Sequence, residues 1–118
     1  MQISQNNNQS FGINLIKFED KASQELFNAK NKAIPAKTMA KVMEEVKQMK
    51  PKIGPDIDVY IGRSYQDGLN TLTYRENEKD VIGKAFDKIN CMCNNTPEKI
   101  VNAFHRLVNK VDEFRALK

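Results

Sequence analysis

The chain has 118 residues, room for one compact domain, and its 40% hydrophobic against 29% charged content can supply a core, which argues against a wholly disordered chain. Lys and Arg outnumber Asp and Glu by 19 to 15. No apolar run approaches the roughly 20 residues of a membrane-spanning helix, so no membrane association is expected.

Residues 1–10 are polar and uncharged, without the basic start and apolar stretch of a secretory signal. They read as a flexible tail ahead of a single domain over 11–118, and the expected location is the cytoplasm. The next segment, 11–18 (FGINLIKF), is dense in apolar residues and reads as a strand. Phe11, Ile13 and Leu15 would share one face and Ile16 and Phe18 the other, as in a strand covered on both sides. Asp20 can cap a short helix carrying Ala22, Leu26 and Phe27, with Pro35 closing the region. Thr38 offers an N-cap to a helix over 38–50, where Met39, Val42, Met43, Val46 and Met49 recur at helical spacing. That stripe reads as core, and as a possible adaptable groove for a partner.

Ile57, Val59 and Ile61 alternate with Asp58, Tyr60 and Gly62, and Asp67-Gly68 marks a turn before Leu69 to Arg75. Residues 56–75 therefore read as an antiparallel hairpin. Segment 81–93 is ambiguous. As a helix it collects Ile82, Ala85, Phe86, Ile89, Met92 and Cys93 on one stripe, while as a strand Phe86 would share a face with Lys88 and Asn90. The helical period is the better match. Finally Thr96, Pro97 and Glu98 form a helix start, followed by an apolar stripe at Ile100, Val101, Phe104, Leu107, Val108, Val111 and Phe114. The expected architecture is α+β: a small antiparallel sheet (hairpin 56–75 plus strand 11–18) packed against helices 38–50, 81–93 and 97–116.

The charge is unevenly spread. Between Lys21 and Lys52 eight lysines meet three acids (Glu25, Glu44 and Glu45), a local +5. Such a segment can meet phosphates or an acidic partner. Fifteen of the cations are Lys and four are Arg, a bias that does not favour base-specific recognition, because Arg supplies the planar fork.

Little in the chain is equipped for catalysis. It lacks the glycine-rich phosphate loop, the G-x-S-x-G elbow and the H-E-x-x-H pair. Cys91 and Cys93 are too close in sequence for an easy disulfide, and with His105 they still leave a zinc ligand missing. They read as buried, reduced thiols, and His105 as a half-buried residue at a helix edge. No enzyme activity, cofactor or metal is expected.

If 81–93 were a strand, the order helix, three strands, helix would resemble the double-stranded RNA-binding domain. With 11–18 ahead of it, the order would resemble the ribosome hibernation factors. The former family carries a Lys-Lys-x-Ala-Lys cluster at the start of its last helix, where this chain has Thr96-Pro97-Glu98-Lys99-Ile100. That departure removes the phosphate clamp, so the resemblance assigns no binding residues. A polar, Asn-rich opening followed by Ser10-Phe11-Gly12 is also similar to the start of many small bacterial proteins, and carries no functional content.

The leading expectation is a non-enzymatic module that binds a protein partner or itself. The alternative is an RNA- or ribosome-binding domain using 21–52. The candidate surface residues are Lys30, Lys32, Lys37, Lys41, Tyr60 and Tyr65.

Overall fold

The computed structural model describes residues 13–64, 68–75, 89–91 and 96–117. The expected tail over 1–10, Tyr65 and most of 81–93 lie outside them. In chain order the elements are β1 (Ile13–Phe18), α1 (Lys21–Lys30), α2 (Ala36–Lys47), β2 (Ile57–Arg63), β3 (Asn70–Arg75), β4 (Ile89–Cys91) and α3 (Pro97–Ala116). The four strands form one sheet in the order β1-β2-β3-β4. Phe27 of α1, Val42 and Val46 of α2 and the α3 stripe from Ile100 to Val111 share one core with Ile57, Val59, Ile61, Leu72 and Tyr74. All three helices therefore meet the same face of the sheet, as the α+β reading requires.

Two expectations are corrected. The sheet is mixed, because β1 runs parallel to β2, while β2–β3 and β3–β4 are antiparallel. The reason lies in the connection. Two consecutive helices carry the chain from the end of β1 back to the end where it began, and a strand entered after such a crossover lies parallel to the first. The second correction concerns the helix expected over 81–93. Its residues Ile89–Cys91 are extended and pair with Asn70–Leu72, and residues 81–88 and 92–93 lie outside the described set. Without β4, the second edge of β3 would leave its N–H and C=O groups unpaired. Satisfying them outweighs a local helical period.

A register shift explains the imperfect alternation of β1. Ile13 stands opposite Ile57 and Leu15 opposite Asp58, so β1 advances two residues while β2 advances one. After this bulge Ile16 meets Val59 and Phe18 meets Ile61. The shift puts Ile13, Ile16 and Phe18 on the core side together, and Phe18 packs edge-on to Phe27 with ring centroids 5.5 Å apart. Among the described residues the core thus lies on one side of the strand, and Leu15, opposite Asp58, is half-buried on the other.

The helix boundaries follow from their caps. Asp20 caps α1, its Oδ1 accepting from the Ser23 N–H at 2.8 Å and the Ser23 hydroxyl at 2.7 Å. At the other end Asn31 donates both its backbone N–H and its side-chain amide to the Phe27 carbonyl. Helix α2 starts two residues before the expected Thr38, with Pro35 in the N-cap position, and ends at Lys47, not at residue 50. A proline is tolerated there because its own N–H would have no partner inside the helix. Thr96 precedes α3 as expected, with Pro97 first in the helix, but its hydroxyl makes no capping bond.

The turn between α2 and β2 is fastened to the last turn of α3. Asp112 Oδ1 accepts from the backbone N–H groups of Lys52 (2.8 Å) and Ile53 (3.0 Å). One turn on, Arg115 donates through Nη1 to the carbonyls of Ile53 and Pro55. Gly54 sits between them with φ +82°, and a Cβ on it would lie 2.8 Å from Arg115 Nη1. Glycine is needed there for both its backbone angle and its lack of a side chain.

Candidate functional site

One face of the sheet is turned away from the helices. Tyr60 lies between the buried Val59 and Ile61, so it points to this side and is half-buried. The Arg75 guanidinium lies over its ring, 4.1 Å from the centroid. The Glu19 carboxylate rests above Gly62 and accepts from the Thr73 hydroxyl at 3.3 Å, and Asn14 donates to Asp58 at 3.4 Å. Charges of both signs are interleaved here. Such a surface has no net pull on a charged ligand.

The helical layer is different. Lys30 ends α1, Lys32 lies in the following turn, and Lys37 and Lys41 stand one turn apart on α2, all four exposed. The short connection between α1 and α2 gathers them at one corner of the domain. On α3 Lys110 pairs with Glu113, whereas among the described residues none of the four corner lysines has an acidic partner. Tyr60, on the opposite side of the sheet, does not join them.

Helix α2 also carries most of its charges against its own dipole. Its N-cap is Pro35, which has no side-chain acceptor; its first turn has no acid but contains Lys37; Glu44 and Glu45 fall in its last turn, where Lys47 alone is favourably placed. A helix N-terminus is the positive end, where cations are disfavoured and acids favoured. Lys37 and Lys41 add a like-charge pair at four-residue spacing. The arrangement works against helix stability and concentrates positive potential at the α1–α2 corner. Reading Thr38 as the cap hid this feature, since it placed Lys37 outside the helix.

By contrast, α1 begins on the carboxylate of Asp20. The hydrogen bond from the Ser23 hydroxyl, and then that from its N–H, hold Asp20 below the ordinary carboxylate value of 3.8, with a smaller contribution from the charge of Arg63. The N-terminus of α1 is thus already neutralised.

His105 is exposed on α3 and not half-buried, Cys91 belongs to β4, and Cys93 is outside the described residues. Among the described residues no three His, Cys, Asp or Glu side chains are placed to hold a metal ion, and no helix is long and apolar enough to cross a membrane. Compared with known proteins, the chain matches no family model, no curated protein and no solved structure.

Proposed function

We propose that this domain binds RNA through the phosphate backbone, using Lys30, Lys32, Lys37 and Lys41 at the α1–α2 corner. The observation that carries the reading is the reversed charge of α2: an N-terminal turn with Lys37 and no acid, beside three more exposed lysines without acidic partners. Charges set against the stability of their own helix are expected where function demands them. The strand at 89–91 adds support, since it yields the element order that resembles the double-stranded RNA-binding domain and, with β1, the hibernation factors. The lysines here are on α1 and α2, however, and not at the start of the last helix.

The protein-binding reading drew its positive hints from the methionine stripe, the basic segment 21–52, and Tyr60 and Tyr65. Met49 is buried and Met39 and Met43 pack against the core, so the stripe lends that reading no support. The deciding experiment is fluorescence anisotropy with a labelled generic RNA, titrated with salt. Four neutralised phosphates give a slope of about −3 in log K against log salt for a single strand. The reading fails if no binding appears at about 20 mM salt, where screening is weak. It also fails if changing all four lysines to Gln leaves binding unaltered.

A further inference from the structure

Resting on that reading, we infer that the RNA is held without regard to base sequence over a short stretch, and that Glu44 and Glu45 mark where its path along α2 ends. The four cations of the corner are lysines, which contact phosphate as point charges, and none is an arginine with the planar fork that reads base edges. Stacking is also out of reach from this corner. Phe27 and Phe104 are buried in the core, and Tyr60 lies on the far side of the sheet beneath Arg75. Phosphate attraction is therefore the whole of the recognition.

The same helix limits how far the contact extends. Glu44 is seven residues from Lys37 and Glu45 four from Lys41, so both acids follow the lysines along the exposed side of α2. Both are exposed, and neither forms an ion pair or a hydrogen bond with its side chain among the described residues. They are not occupied in holding the fold. Their charges stand between Lys41 and Lys47 and repel a phosphate strand that would otherwise continue toward Lys47. The footprint stops at the first two turns of α2.

The test uses the full chain and two labelled 12-nucleotide RNAs, one all uridine and one all cytidine, with circular dichroism to confirm folding. The wild type should bind both within about twofold of each other. The double variant Glu44→Gln/Glu45→Gln should bind about threefold to tenfold more tightly at low salt, the sum of two exposed charge effects. Its salt slope should steepen by about 0.7 as Lys47 enters the contact. A tenfold preference for one RNA overturns the sequence-independent mode. Unchanged affinity and slope in the double variant overturns the boundary, and either result leaves RNA binding itself standing. Absence of wild-type binding to both RNAs removes the proposed function and this inference with it.

Discussion

The reversed charge of α2 makes a prediction that an ordinary surface helix would not: Lys37→Glu should stabilise the fold while weakening RNA binding. At the positive end of the helix a disfavoured cation becomes a favoured anion, and each half of that change contributes about 0.3–1 kcal/mol at low ionic strength. The repulsion between positions 37 and 41 also becomes an attraction, in the better orientation with the acid nearer the N-terminus, adding about 0.2–0.5 kcal/mol for each half. With position 37 exposed, the lower part of these ranges applies, and the net gain is about 1–2 kcal/mol. For a domain of this size that raises the melting temperature by about 4–8 °C. Thermal unfolding followed by circular dichroism reads the shift, and raising the salt to about 1 M should erase most of it, because the screening length falls to about 3 Å. In the same variant RNA affinity should fall about fivefold or more, since one phosphate contact is lost and a repulsion gained. A lowered melting temperature would refute the dipole argument. A raised one with undiminished RNA affinity would show that Lys37 does not face the ligand.

Other expectations concern the scaffold. Arg115→Ala should cost about 2–3 kcal/mol in urea unfolding by leaving the carbonyls of Ile53 and Pro55 unpaired, and Asp112→Ala about 1–2 kcal/mol; because both fasten one turn, the double variant should lose less than the sum. Gly54→Ala should cost about 1–3 kcal/mol, and repeating it with Arg115→Ala should relieve the contact but not the backbone strain, so part of the loss persists. Asp20→Ala should lower the melting temperature at neutral pH. Because the folded carboxyl titrates below 3.8, its contribution is complete above that value and disappears as pH falls through the depressed value, so wild type and variant should converge in strong acid. Phe104→Ala empties the centre of the core and should cost about 3–5 kcal/mol by the same urea measurement.

The parts of this structure that were legible beforehand are those whose determinants are local. Thr96-Pro97-Glu98 and the stripe behind it define α3 without reference to any other segment, and Asp20 announces α1. Ile57, Val59 and Ile61 alternate because one side of β2 is core, and Gly68, with φ +63°, accommodates the turn after it. What stayed hidden depends on distant partners. Whether 89–91 is helix or strand is decided by the open edge of β3, some twenty residues earlier. The bulge in β1 is visible only once β2 supplies a register, and its absence from the sequence pattern produced the two-sided reading. The basic corner was half legible. Its lysines are plain in the chain, but their conflict with the helix dipole emerges only when α2 is seen to begin at Ala36.

The parallel seam between β1 and β2 has a consequence for how this protein is made. Asn14 and Asp58, which join across it, are 44 residues apart. During translation at about 5–20 residues per second, the first strand therefore emerges some 2–9 s before its neighbour exists. Through that interval Ile13, Ile16 and Phe18 have nothing to pair with, whereas the hairpin that follows can close as soon as it leaves the ribosome. Birth order thus leaves the N-terminal ribbon as a late joiner, and the nascent chain is most exposed to misassociation before Arg63 has been added.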